Sequence, residues 1–339
     1  MKALNFLILT DHRGHSDQNS LYALTQQLVK DARTAAAFVA SRGDARNAAF
    51  FAGDLSAPIY GLVASQAFSQ ATAAEEFLTS QATSQYAEAD VIWLRLPPPA
   101  DRGFFAALSS FAPASAPKKA PVIINNPEGI IETGSKAFLQ HFTAFTAPIW
   151  SVTSGSQIQE LSEQHALVLK PLREYGGRGL VRILEGFAEE EGLKIPLGEW
   201  LEKANSTITS GAYLAMKYLK NVSAGDKRIL VVNGRILGAS VRVPAPGQWL
   251  CNVSQGGTSL AADIAPEEEK MIAAVAPVLL NKGVVIFGAD TLVDDDGKRV
   301  LSELNTNSIG GFPQAEAQSG RPVLQQTING IYDYLAARL

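Results

Sequence analysis

The sequence predicts an α/β protein in two parts: an open parallel α/β domain over residues 1–122 and a second, hairpin-rich domain over 123–339. Three observations carry this. Strand-like and helix-like segments alternate up to Asn125, the pattern of an open α/β sheet. The stretch Ala112 to Pro121, rich in Ala, Pro, Ser and Lys, reads as a linker. Beyond it, β-branched segments come in pairs around glycine-bearing turns.

Composition sets bounds. A hydrophobic fraction of 46% with 18% charged residues is that of an ordinary soluble globular chain. The net charge is −4 and no basic run exceeds Lys118–Lys119, which argues against nucleic acid as a partner. The single cysteine, Cys251, precludes an internal disulfide framework and fits a reducing cytoplasm. The apolar run near the N-terminus stops at Asp11 and lacks a signal-peptide cleavage site, and no apolar stretch is long enough to span a membrane.

In order, Leu4 to Leu9 reads as a buried parallel strand and Ser20 to Ser41 as a helix. Strands are expected at Ile59–Val63, Val91–Leu96 and Val122–Asn125, with helices near Ala73–Thr79 and Gly103–Ser110. Loops at strand carboxyl ends bind ligands in such sheets. Two stand out: Thr10 to Ser20, and the one opened by Arg95-Leu-Pro-Pro-Pro. Arg95 suits a carboxylate or phosphate, or is a surface arginine before a stiff turn.

After the linker comes a helix carrying Lys136, then a helix Gly155–His165 and a strand Ala166–Pro171 that holds Lys170. The loop after it carries Gly176, Gly177 and Gly179, and Val181–Leu184 returns. Glycines let a backbone bend so that its N–H groups approach an anion; a plain hairpin turn is the alternative. A helix is expected at Leu197–Ala204 and an apolar strand at Ala212–Leu219. Asp226 to Gly238 is a hairpin around Asn233–Gly234. The segment 243–259 is long, aperiodic and rich in Gly and Pro, as a lid would be. Pro266–Lys282 reads as an amphipathic helix, and the chain closes as helix from about Pro322.

The most informative stretch is Val284 to Gly311. Two strands flank the turn Asp294-Asp295-Asp296-Gly297. Pairing about that turn sets Asp290 almost opposite Glu303, and Asn305, two residues on, shares the face of Glu303. Three hard oxygen ligands at one end of a hairpin suit magnesium beside nucleotide phosphates. On the hairpin alone, two solvated acids at a strand end is the competing reading. His12 and His15 lack a third partner for a metal.

This order of parts resembles the ATP-grasp ligases and, within them, the bacterial glutathione synthetases. The words that carry the likeness are VLKPLREYGGRG (168–179), AGDKRILVVNG (224–234), FGAD (287–290) and SELNTNS (302–308). The resemblance implies a two-lobed ATP-grasp domain over 123–339. Its smaller lobe is about 123–210, with the glycine loop at 175–179. Its C-terminal lobe is about 211–339, with the lid loop 243–259 and the metal-binding hairpin 284–305. Residue by residue, it implies that Lys136 and Lys170 hold ATP phosphates and that Tyr175, Gly176, Gly177 and Gly179 cover them. Lys217, Tyr218 and Leu219 face adenine; Asp290, Glu303 and Asn305 bind magnesium, or manganese in its place. Arg228 and Arg242 act at the reacting carboxylate. Ser20, Arg95, Asn252, Ser308, Gly310 and Gly311 touch the substrate. A homo-oligomer is implied by the resemblance alone.

The implied activity is a carboxylate–amine ligase joining γ-glutamylcysteine to glycine through an acyl phosphate, with ADP and phosphate released. The chain departs from the family at Leu250 and Thr258, where arginines are usual, and at Asn19, where an acid is usual. These departures keep open a ligase for another amino acid, peptide or protein carboxylate. A non-catalytic nucleotide-binding regulator is the third reading. Small molecules are the expected partners, with no nucleic acid or membrane, in the cytoplasm.

Overall fold

The computed structural model describes residues 2–99, 101–110, 120–174, 176–244 and 258–339. Three sheets organise them. The first is built from β1 (Leu4–Thr10), β2 (Thr34–Ser41), β3 (Ile59–Val63), β4 (Thr83–Ser84), β5 (Val91–Leu94) and β6 (Val122–Ile124), in the order β4-β3-β2-β1-β5-β6. Strands β1, β5 and β6 run parallel, as expected, and the unexpected β2 joins them; β3, expected in the parallel sheet, pairs antiparallel with β2, and β4 antiparallel with β3. The order reverses between β1 and β5, so Thr10 and Arg95 meet at the switch point, where Thr10 Oγ1 donates to the Arg95 carbonyl at 3.2 Å.

One expectation is corrected here. The helix from Ser20 stops at Lys30, and Thr34–Ser41 is strand β2. The alanines of β2 favour a helix locally, but two side chains end it first. Asp31 Oδ1 accepts from the Arg33 N–H at 2.9 Å, and Thr34 Oγ1 donates to the Leu28 carbonyl at 2.7 Å. Pairing with β1 then buries Phe38 to Ser41, which outweighs the weak local propensity.

The second sheet contains β7 (Ile149–Val152), β8 (Leu167–Pro171), β9 (Val181–Leu184), β10 (Phe187–Glu190), β11 (Leu193–Pro196) and β12 (Tyr213–Lys217), in the order β11-β10-β9-β8-β12-β7. Sequence reading missed β10 and β11. Their turns are Glu185–Gly186 (φ 52° and 78°) and Glu191–Gly192 (φ 49° and 81°), the left-handed pair that a two-residue hairpin requires. Glutamate before glycine is a weaker turn signal than Asn233–Gly234, whose φ values of 47° and 76° make the hairpin expected there. Because β12 pairs with both β7 and β8, we propose that the boundary between lobes falls after Lys217 rather than near 210.

The third sheet contains β13 (Asp226–Val232), β14 (Arg235–Val243), β15 (Thr258–Ala261), β16 (Ile286–Val293) and β17 (Arg299–Asn305), in the order β15-β14-β13-β16-β17. One face carries the helix Pro266–Asn281, whose Met271, Ile272, Val275 and Leu279 pack with Ile229, Val231 and Phe287. The other carries the helices Phe312–Ser319, missed from sequence, and Val323–Ala336. Phe312, Ile328, Ile331 and Leu335 share one core with Leu4, Phe6 and Ile8 of β1, so the chain's end is packed onto its beginning. Asn125 reinforces that seam. Its side chain donates to the carbonyls of Ile286 (2.6 Å) and Thr306 (2.8 Å) and accepts from the N–H groups of Val285 and Ile286. No helix among the described residues is long and apolar enough to cross a membrane.

Candidate active site

The cleft between the second and third sheets has a volume of about 430 Å³. Alternation along each strand decides what faces it. On β8, Val168 and Lys170 line it, two residues apart; on β16, Asp290 and Leu292 do; on β17, Glu303 and Asn305 do. One end is apolar, with Val168, Leu180, Met216, Leu219, Val222 and Leu292. The other is charged, with cations Lys136, Lys170, Arg178, Lys217, Arg228 and Arg242 against acids Glu174, Asp226, Asp290 and Glu303. Among the described residues the lining cations outnumber the lining carboxylates, which suits a polyanion.

The hairpin expectation holds in register. Asp290 is the direct cross-strand partner of Glu303, helped by a one-residue shift that leaves Ser302 extra and lets its Oγ donate to the Asp290 carbonyl at 3.2 Å. Asn305 Nδ2 donates to Asp290 Oδ2 at 3.1 Å. Arg228 Nε and Nη2 donate to Asp290 Oδ1 and Oδ2 at 2.8 and 2.7 Å, and Arg242 Nη2 adds a bond to Oδ2 at 2.9 Å. Burial opposes ionisation of Asp290, but Arg228 and Arg242 overcome it and hold the carboxyl well below its usual range. Glu303, by contrast, accepts no hydrogen bond among the described residues; Lys136 Nζ lies 3.8 Å from its Oε1.

The donor set fits magnesium. Glu303 is free to coordinate, Asp290 Oδ1 accepts a single hydrogen bond, and the Asn305 oxygen is left once its nitrogen turns to Asp290. One or two carboxylates with substrate phosphates are the usual protein share of a magnesium site.

The lysines approach from the other side. Lys170 Nζ donates to the Ser302 carbonyl at 3.0 Å, and burial pushes its pKa down against the pull of Glu303. Lys136 Nζ donates to the Glu174 carbonyl and so ties the glycine loop at its start. In that loop Gly176, Gly177 and Gly179 have φ of 70°, 80° and 63°, which side-chain-bearing residues rarely adopt. Gly176 and Gly177 line the cleft; Gly179 does not, and Tyr175 lies outside the described residues. Lys217, Tyr218 and Leu219 also line the cleft, with Lys217 Nζ held by Asp295 at 2.8 Å. Asp295 also accepts from the Lys220 N–H at 3.0 Å, so the triple-aspartate turn is more than a turn: it fastens the hairpin tip to the second sheet.

Of the residues expected at the substrate, Ser308 and Gly310 line the cleft, while Ser20, Arg95 and Gly311 stand behind it. Ser20 Oγ accepts from the N–H groups of Gly311 (3.0 Å) and Phe312 (3.3 Å). Arg95 is 4% exposed; Nη2 donates to the Ile309 carbonyl at 2.9 Å, Nε has no hydrogen-bond partner among the described residues, and burial pushes its pKa down to about 10. Asn252, Leu250 and Cys251 fall outside the described residues, as do positions 245–257 of the lid segment.

Sequence reasoning missed Asp226, which is directly opposite Arg242 on β13 and β14 and accepts its hydrogen bond. Counting back from the Asn233–Gly234 turn puts Val241 opposite it; the one-residue shift between Leu230 and Val231 brings Arg242 there instead. Burial and the Asp290 charge push Asp226 up to about 7, and its Oδ1 has no hydrogen-bond partner among the described residues. Arg242 Nε and both amide atoms of Asn307 are likewise buried without hydrogen-bond partners among the described residues. Buried polar atoms left unpaired are costly and mark where a ligand or water completes the structure.

Two sheets closing on a cleft, with a glycine loop on one and a carboxylate hairpin on the other, define the ATP-grasp class. Solved structures agree at the level of fold. A D-cycloserine synthetase superposes with a TM-score of 0.65 at 12% identity, covering 98% of this chain and 99% of its own. D-alanyl-alanine synthetase A from Vibrio cholerae gives 0.57 at 13%, covering 99% of each. The family model for the prokaryotic glutathione synthetase ATP-grasp domain matches residues 135–320. Glutathione synthetase from Parasynechococcus marenigrum is 32% identical over 241 residues, 70% of this chain and 73% of that protein. That from Rhodopseudomonas palustris is 30% identical over 237 residues, 69% of each. The chain belongs to the prokaryotic glutathione synthetase family of ATP-grasp proteins. It is an ATP-dependent carbon–nitrogen ligase of that type.

Proposed function

We propose that this chain joins the cysteinyl carboxylate of γ-glutamylcysteine to the amine of glycine through an acyl phosphate, releasing ADP and phosphate. The observation that carries the reading is the convergence of Lys136, Lys170, Asp290, Glu303 and Asn305 on one cleft that also presents Arg228 and Arg242. Its apolar end, beside Met216 and Leu219, receives adenine. Lys136, Lys170 and the backbone at Gly176 and Gly177 hold the phosphates. Asp290, Glu303 and Asn305 hold magnesium, which when bound neutralises phosphoryl charge.

A carboxylate is a poor electrophile until its oxygen carries a phosphoryl group. Arg228 and Arg242 sit within the same cleft and orient that carboxylate, then stabilise the oxyanion formed when the amine attacks. Preorganised donors of this kind contribute roughly 3–4 kcal/mol each to such steps. The enzyme works in the cytoplasm on small molecules.

The test is ADP release by the purified full chain with magnesium and ATP. Release that requires both γ-glutamylcysteine and glycine supports the reading. ATP binding without release for that pair, but with release for another carboxylate and amine, moves the assignment to a different substrate. ATP binding with no turnover on any pair leaves the regulator.

A further inference from the structure

Five of the six cations lining the cleft are already held by the protein. Lys136 is bonded to the Glu174 carbonyl, Lys170 to that of Ser302, Lys217 to Asp295, and Arg228 and Arg242 to Asp290. The sixth is Arg178. Among the described residues it makes no hydrogen bond; its one ionic neighbour is Glu174, 3.7 Å from its Nε, and its side chain is 69% exposed. That distance is beyond a hydrogen bond, and so exposed a pair holds the guanidinium weakly. Arg178 sits between Gly177 and Gly179, both with left-handed φ. The loop therefore curls so that Arg178 lines the cleft beside Gly176 and Gly177. Lys136 fastens the loop at Glu174, leaving Arg178 on the limb beyond that tether.

We propose that Arg178 is a further catalytic residue, donating to the non-bridging oxygens of the ATP γ-phosphate. This rests on the reading of the cleft as an ATP site and adds a residue that the reading does not need. In the phosphoryl step a carboxylate oxygen forms a bond to the γ-phosphorus while the bond from that phosphorus to the bridging oxygen breaks. ADP leaves with the electron pair, and no proton moves. Negative charge spreads over the equatorial oxygens, which a planar guanidinium can meet with two parallel hydrogen bonds. A lysine offers only a point charge.

The test compares the full chain with Arg178→Gln and Arg178→Lys. Affinities for ATP and for ADP, each with magnesium and without carboxylate substrate, are measured by calorimetry, and ADP release is followed at saturation. The Gln variant should lose roughly 10- to 100-fold in ATP affinity while ADP affinity stays within about twofold, because the two ligands differ by the γ-phosphate. Its kcat should fall by about two orders of magnitude or more. The Lys variant should recover part of the ATP affinity and little of kcat. An ATP-to-ADP preference unchanged in the Gln variant overturns the proposal, whatever happens to the rate, and leaves the ligase reading standing. Wild-type protein that binds neither nucleotide overturns both.

Discussion

Arg228 and Asp290 face each other across β13 and β16 and share two parallel hydrogen bonds, Nε to Oδ1 at 2.8 Å and Nη2 to Oδ2 at 2.7 Å. The pair joins a candidate catalytic arginine to a candidate metal ligand, so neither can be altered alone. Arg228→Lys keeps the charge but loses the fork. We expect activity to drop at least about tenfold and stability to fall by about 1–3 kcal/mol, since Asp290 stays buried with fewer partners. Urea denaturation and ADP release measured on the same preparation check both; full activity in the lysine variant would refute the shared role.

Glu303 should behave differently. It is partly exposed and accepts no hydrogen bond among the described residues. Glu303→Gln should therefore leave stability within about 0.5 kcal/mol of wild type. Turnover should be lost, together with the magnesium-dependent part of the Tm rise that ATP produces. A variant that keeps both would remove Glu303 from the metal site.

Ser20 distinguishes a structural role from a substrate-binding one. Its Oγ caps the helix Phe312–Ser319 from another part of the chain, accepting from Gly311 and Phe312. Ser20→Ala should cost about 1 kcal/mol, seen as a lower urea midpoint at constant slope. A raised KM for the carboxylate substrate at unchanged stability would return Ser20 to the substrate.

His15 gives a pH signature. It lies between Thr10 Oγ1 (3.1 Å) and the Tyr22 hydroxyl (2.8 Å), and burial pushes its pKa from 6.5 down to about 4. Between those values the unfolded chain binds the proton and the native chain does not. The contribution of neutral His15 is thus fully present above about pH 6.5 and is lost as pH falls toward 4. Wild type should lose stability relative to His15→Gln across that window. An NMR titration of the His15 ring with a midpoint near 6.5 would overturn the assignment.

The sequence by itself determined the parts whose chemistry is local. Turn residues located the hairpins at Asn233–Gly234 and Asp294–Gly297, and a two-residue period put Glu303 and Asn305 on one face; the one-residue shift at Ser302 that sets Asp290 directly against Glu303 belongs to the structure. Glycines at 176, 177 and 179 allowed either a sharply bent anion-binding loop or a plain hairpin turn, and the structure holds all three at left-handed φ. The order of these motifs carried the family. What tertiary structure decided was the set of partners. No local rule places Ser20 beneath Phe312, brings Lys170 across to Ser302, or turns Thr34–Ser41 from helix to strand. Those outcomes depend on contacts between segments far apart in the chain, where burial and long-range pairing outweigh local preference. Hence Arg95, which looked from sequence like an anion receptor, is occupied with the Ile309 carbonyl behind the cleft, while Arg178 remains the cleft cation without a hydrogen bond among the described residues.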